Sequence, residues 1–182
     1  MDFTYETEHL IFRILSPEDA DSVLVFYEEN KDFFEPWEPK RPDNFYTHAY
    51  QKALLNAEFN QIFEKKSVRF YAFLKKNPNV IIGTFCLHNI LYHVFQSCSL
   101  GYKVHSQYTQ KSYGTQIVSF ALWLAFHEQK LHKVEALVHP QNSASQKLLE
   151  KLNFSLEGTS LDAVFLRGQW EDHLRYVCLS YK

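Results

Sequence analysis

The 182 residues are 46% hydrophobic and 16% aromatic, enough apolar side chain for one domain, 1–182, with a core of its own. Nineteen basic residues nearly balance twenty-one acidic ones for a net charge of −2, without long runs of one sign, which argues against nucleic acid as a direct partner. No stretch approaches the roughly 18 apolar residues of a membrane helix, residues 1–10 lack a secretory pattern, and Cys86, Cys98 and Cys178 form no C-x-x-C pair, so a cytoplasmic setting is expected.

Leu10 to Leu15 reads as a strand, and Ser16-Pro17-Glu18-Asp19 starts a helix that runs to about Asn30, with Ser16 as N-cap, Pro17 at the first position and an acid three residues on. The prolines of Phe33-Phe34-Glu35-Pro36-Trp37-Glu38-Pro39 predict an aromatic loop. Residues 43–66, with Tyr46, Ala49, Ala53, Leu54 and Ala57 at helical spacing, predict a second helix. Residues 68–74 and 80–87 predict a hairpin turning at Asn77-Pro78-Asn79.

A strand over 97–104 leads through a polar loop into a largely apolar helix over 115–130. A short strand over 134–138, a helix over 142–152 and a strand pair over 154–180 turning near Arg167-Gly168-Gln169 complete the chain. That order requires a mixed sheet with helices on its faces, and the strand, apolar helix and strand in mid-chain form a parallel crossover, where ligands bind at strand carboxyl ends.

Five glycines, at 83, 101, 114, 158 and 168, cannot supply either G-x-G-x-x-G or the P-loop. The histidine after His127-Glu128 stands at 132, one position too late for H-E-x-x-H, so no metal is expected. There is no G-x-S-x-G elbow either, which removes the main support for a hydrolase.

The loop Tyr108-Thr109-Gln110-Lys111-Ser112-Tyr113-Gly114-Thr115 enters the apolar helix, where free amides at the positive end of a helix dipole suit a pyrophosphate. An ordinary cap by Ser112 or Thr115 explains the same residues without a ligand. The segment resembles the acetyl-CoA signature Q/R-x-x-G-x-G/A of the GNAT superfamily, with Thr109 in place of Gln or Arg, Ser112 in place of the first glycine and Gly114 matching the last position. Val134 to Ser145, followed by Leu148 to Phe154, is similar to the family's V-x-P-x-N-x-A-S and E-K-x-G-F pattern. Glu157-Gly158 through Phe165-Leu166-Arg167-Gly168-Gln169-Trp170-Glu171-Asp172-His173, with Phe34-Glu35-Pro36-Trp37, resembles the RimJ/RimL branch that acetylates amino termini of ribosomal proteins.

The resemblance implies a mixed α/β (α+β) GNAT fold: a largely antiparallel sheet of six or seven strands with one splayed pair, and about four helices on its faces. It implies acetyl-CoA as co-substrate, with pantetheine along Leu100, Tyr102 and Val104 and pyrophosphate at Gln110, Lys111, Ser112, Tyr113, Gly114 and Thr115. Asn142 then lies by the pantetheine arm and Ser145 protonates the departing thiolate, although Asn142 as a plain N-cap fits the same pattern.

The position of a common family glutamate, just before Leu100, holds Ser99. Glu35, Glu38 and Glu135 are candidate bases, with Glu135 taken as the catalytic one, and all three are equally residues that surface ion pairs use. Phe34 and Trp37 are candidates for acceptor binding, or simply for packing. The expected acceptor is the α-amine of a protein, since its reference pKa of about 7.7–8.0 leaves more neutral amine than lysine's. A small amine acceptor, such as a polyamine or aminoglycoside, and a degenerate non-enzymatic acyl-CoA-binding module are the alternatives; a monomer or homodimer is expected.

Overall fold

The computed structural model describes residues 1–180. Its strands are β1 (Thr4–Glu6), β2 (Leu10–Arg13), β3 (Val68–Leu74), β4 (Asn77–Leu91), β5 (Ser97–Val104), β6 (Lys133–Val138), β7 (Ser155–Leu166) and β8 (Gln169–Leu179). They form one sheet in the order β1-β2-β3-β4-β5-β6-β8-β7, in which only β5 and β6 run parallel. Eight strands replace the expected six or seven: β1 is a three-residue edge strand, too short and too polar to show a period of two. The helices are α1 (Ala20–Glu29), α2 (Lys31–Phe34), α3 (His48–Phe63), α4 (Tyr113–Trp123) and α5 (Ser143–Lys151).

Local chemistry accounts for most boundaries. Ser16 and Asp19 form the expected capping box: Ser16 N–H donates to Asp19 Oδ2 at 2.8 Å, in front of a 3-10 turn that opens α1. Helix α3 starts at His48 rather than 43, because Thr47 Oγ1 accepts from Tyr50 N–H and so fixes the first turn there. The hairpin turns at Lys75-Lys76, two residues before the expected site. Pro78 instead falls in a stretch of β4 between the paired residues Asn77 and Ile81, where the ladder needs no amide from it. The predicted aromatic loop is helical, as α2 followed by a 3-10 turn over Glu35–Trp37, because a proline is tolerated in a first turn. Beyond Trp123 the chain continues as a π-helical turn, Leu124–Glu128.

Strand alternation sends side chains into two cores. Phe12, Phe70 and Phe85 pack around Phe120 of α4, with Phe12 stacked on it at 4.1 Å between ring centroids. On the opposite face Tyr71, Phe73 and Ile81 meet Phe26 and Tyr27 of α1 and Leu55 of α3. Helix α4 lies so close to β4 that a Cβ on Gly83 would stand 2.6 Å from both Ile117 Cδ1 and the Lys103 carbonyl oxygen. Gly83→Ala is therefore expected to destabilise the protein by about 2 kcal/mol, the scale of overpacking, measured as a lower urea midpoint with unchanged slope.

Candidate active site

The parallel ladder between β5 and β6 is short. It pairs Ser97 with Lys133, Cys98 with Val134 and Ser99 with Glu135, and then stops. Beyond it β5 stays paired with β4 as far as Val104, while β6 stays paired with β8 as far as Val138. Because His105 N–H donates to the Ile82 carbonyl, alternation turns the N–H and C=O of Leu100, Tyr102 and Val104 away from β4 and into the gap. A V-shaped crevice with an unpaired strand edge thus opens at the carboxyl ends of two parallel strands.

At the wide end, the loop before α4 has Gln110 at φ 57° and Ser112 at φ 62°, both left-handed. Ser112 therefore does not cap α4 with its side chain. Among the described residues, no backbone N–H from Gln110 to Thr115 donates a hydrogen bond. Such a run of free amides around left-handed residues, at the positive end of a helix dipole, has the geometry that suits an anion. Gly114 faces α5 and β5, and a Cβ on it would meet Leu148 Cδ1 at 2.8 Å and Val104 Cγ2 at 3.3 Å.

Three residues beyond the last paired position, Tyr102 Oη and Ser145 Oγ lie 2.7 Å apart. Burial pushes the Tyr102 phenol up to about 12, against a smaller opposing effect of the Ser145 hydrogen bond. Ser145 is placed there by Asn142, whose Oδ1 accepts from Ser145 N–H at 3.1 Å. Asn142 is thus the N-cap of α5, and its side-chain NH₂ has no partner among the described residues. The C-terminus of α5 is a Schellman turn, with Phe154 N–H donating to Leu149 and Asn153 N–H to Glu150, and with Asn153 left-handed at φ 61° as expected.

On the α1 side of the crevice the residue pair Trp37-Glu38 spans the two splayed strands. The Trp37 ring packs edge-on against His139, just after β6, at 5.8 Å. Glu38 pairs with Lys103 of β5 at 2.5 Å and also with Arg41. Glu38 is therefore neutralised by two cations. Glu135 sits at the last paired position with Lys133 Nζ at 2.7 Å, and Glu35 is exposed near Lys31 and Tyr46. Phe34 is buried in the second core against Phe26, the packing alternative expected for it, and Trp37 is half-exposed beside His139.

The Acetyltransferase (GNAT) domain profile matches residues 9–155. The chain belongs to the GNAT acetyltransferase family. A probable N-acetyltransferase, YjcK of Bacillus subtilis (strain 168), is 34% identical over 161 residues, 88% of each chain. The [ribosomal protein uS5]-alanine N-acetyltransferase of Escherichia coli (strain K12) is 28% identical over 169 residues, 92% of this chain and 86% of the relative. The structure of ribosomal-protein-S5-alanine acetyltransferase from Vibrio fischeri superposes with a TM-score of 0.91 at 29% identity, covering 98% of this chain and 97% of that one. Mycobacterium smegmatis RimJ, solved with CoA-disulfide, shares the fold with a TM-score of 0.88 at 22% identity, covering 94% and 82%.

This GNAT chain is an N-acetyltransferase related to ribosomal-protein alanine acetyltransferases. Sequence reading named the segments of the crevice but missed the hydroxyl pair Tyr102–Ser145, the Glu38–Lys103 bridge and the surroundings of His139, all of which join residues far apart in the chain. Glycine is usual at position 112 for a steric reason: a side chain in left-handed backbone costs roughly 1 kcal/mol. Ser112→Gly is expected to raise stability by about 0.5–1 kcal/mol in urea unfolding, with acetyl-CoA affinity unchanged or improved by titration calorimetry.

Proposed function

We propose that the protein transfers acetyl from acetyl-CoA by direct attack to the α-amine at the amino terminus of a protein. The observation that carries the reading is the crevice itself: an unpaired strand edge ending at a cradle of free amides, with a paired hydroxyl donor between them. Pantetheine adds a strand-like set of amides to Leu100, Tyr102 and Val104, and the pyrophosphate takes the amides of Gln110 to Thr115. The amine attacks the thioester carbonyl carbon, a β5 amide holds the oxyanion, and the carbon–sulfur bond breaks. Ser145 donates the proton to the thiolate, and Tyr102, kept protonated by burial, resupplies it through their 2.7 Å contact. Of the acids read as bases, Glu135 is the one on the strand beside the crevice vertex.

A polyamine or aminoglycoside calls for a strongly acidic channel. The cavity of about 750 Å³ beside Trp37-Glu38 mixes both signs: Asp32, Glu35, Glu38 and Asp43 face Lys31, Lys40, Arg41 and Arg167. Mixed charge suits a polypeptide better than a polycation. No helix among the described residues is long and apolar enough to cross a membrane, and an amino-terminal protein substrate fits a cytoplasmic enzyme working as a monomer or homodimer.

Titration calorimetry is expected to give micromolar acetyl-CoA binding; binding without turnover on any amine points to the non-enzymatic module instead. Ser145→Ala is expected to lower kcat on an Ala-initiated peptide by about 10²-fold, the scale of a lost general acid. Tyr102→Phe should lower it less, with KM for acetyl-CoA nearly constant in both, and unchanged turnover in Ser145→Ala removes that role.

A further inference from the structure

At the carboxyl end of β6, on the crevice face that Trp37 covers, lies a histidine that the reading above does not use. Counting three residues from the last paired position, Ser99 with Glu135, brings Tyr102 on β5 level with Val138 on β6. His139 follows directly, one residue beyond that level, and its side chain packs against Trp37 and His173 rather than in the core that holds Val138. It is 7% exposed, and its Nε2 is buried without a hydrogen-bond partner. A buried polar nitrogen left unsatisfied costs about 1–3 kcal/mol, a cost that recurs at working sites.

The groups facing this imidazole come from two elements. Strand β8 contributes Glu171, with Oε2 at 3.4 Å from His139 Nε2, and the His173 ring, perpendicular to His139 at 5.6 Å. The 3-10 turn contributes Trp37. Glu171 is itself held by Gln169 Nε2, which donates to Oε1 at 2.8 Å, with Arg167 at 3.5 Å, and that hydrogen bond leads the effects that keep its carboxyl below the ordinary value. The His173 Nδ1–H donates to the Glu171 carbonyl, fixing that ring beside the pair. His139 Nδ1 accepts from Gln141 N–H at 3.1 Å, so in the neutral ring Nδ1 carries the lone pair and Nε2 the hydrogen, near the Glu171 carboxylate but in no hydrogen bond with it. That lone pair faces the turn leading to Asn142 and Ser145, and only the amide of an exposed turn residue occupies it. A carboxylate beside one imidazole nitrogen, with only a backbone amide on the other, is how an oriented base can stand in a free enzyme, where such contacts are often long before substrate binds.

We propose that His139, oriented by Glu171, takes the proton of the attacking amine. This rests on the acetyltransferase reading of the crevice. As the nitrogen–carbon bond forms and the carbon–sulfur bond breaks, the amine proton passes to His139 Nδ1, displacing the Gln141 amide. The thiolate takes its proton from Ser145, Tyr102 replaces that proton and regains its own from solvent, and the imidazolium beside ionised Glu171 releases its proton to solvent after the product leaves, so the cycle closes.

The test uses the full chain, acetyl-CoA and an Ala-initiated peptide, with His139→Gln, Glu171→Gln and Glu135→Gln beside the parent. His139→Gln is expected to keep acetyl-CoA affinity within twofold and lower kcat about 10²-fold. The fall of kcat towards low pH, where a protonated imidazole cannot accept, should vanish with it. Glu171→Gln should lower kcat less and move that limb, and Glu135→Gln should leave it in place. In His139→Gly, added imidazole should restore part of kcat, which a purely structural role does not predict and which guards against a misfolded glutamine variant. A His139→Gln profile that matches the parent, or a limb that disappears in Glu135→Gln instead, overturns the assignment while leaving the acetyltransferase reading intact. A parent that binds no acetyl-CoA, or binds it and acetylates neither the peptide nor a small primary amine, overturns both.

Discussion

The parallel pairing of β5 and β6 ends after Ser99 and Glu135, and the rest of the site depends on that interruption. A strand in the middle of a sheet normally has its amides and carbonyls paired on both sides, because an unpaired buried backbone group costs as much as a lost hydrogen bond. Here each strand keeps its outer neighbour and loses its inner one, so the sheet stays rigid on both sides of an open seam. The bulk of α4 against β4 holds one side, through Gly83 and Phe120, and α5 with β8 holds the other.

Two helix starts converge on this seam and are built differently. At α5 the polar side chain of Asn142 caps the helix and thereby sets Ser145 facing Tyr102. At α4 the backbone adopts left-handed angles at Gln110 and Ser112, the side chains are kept away from the helix amides, and those amides stay free. A capped start places a hydroxyl; an uncapped start offers positive charge without a cation. The nearly neutral composition agrees with this, since an anion can be held largely by backbone.

The opposite side of the seam is closed by side-chain chemistry. Trp37 rests on His139 and Glu38 pairs with Lys103, so one dipeptide bridges two strands that do not touch each other there. Glu38 is paired with both Lys103 and Arg41, and Glu135 with Lys133, so the carboxylates nearest the seam on this side are committed to cations.

Much of this fold was written locally. The Ser16–Asp19 box, the turn at Arg167-Gly168, the left-handed Asn153 and the segments over 97–104, 133–138 and 143–151 are each specified by neighbours in the chain, through capping, turn conformation or side-chain period, and so could be read without a structure. Edge strand β1, the hairpin at Lys75-Lys76 and the helical turns around Pro36 could not, because the partner strand or packing surface that stabilises them is distant in sequence. The site divides the same way. The family pattern named the residues of the cradle and the serine of α5, since those lie in two continuous segments. Which hydroxyl meets Ser145, which lysine holds Glu38 and which carboxylate faces His139 were decided only when elements distant in the chain were brought side by side, for those contacts have no periodicity in the chain to announce them.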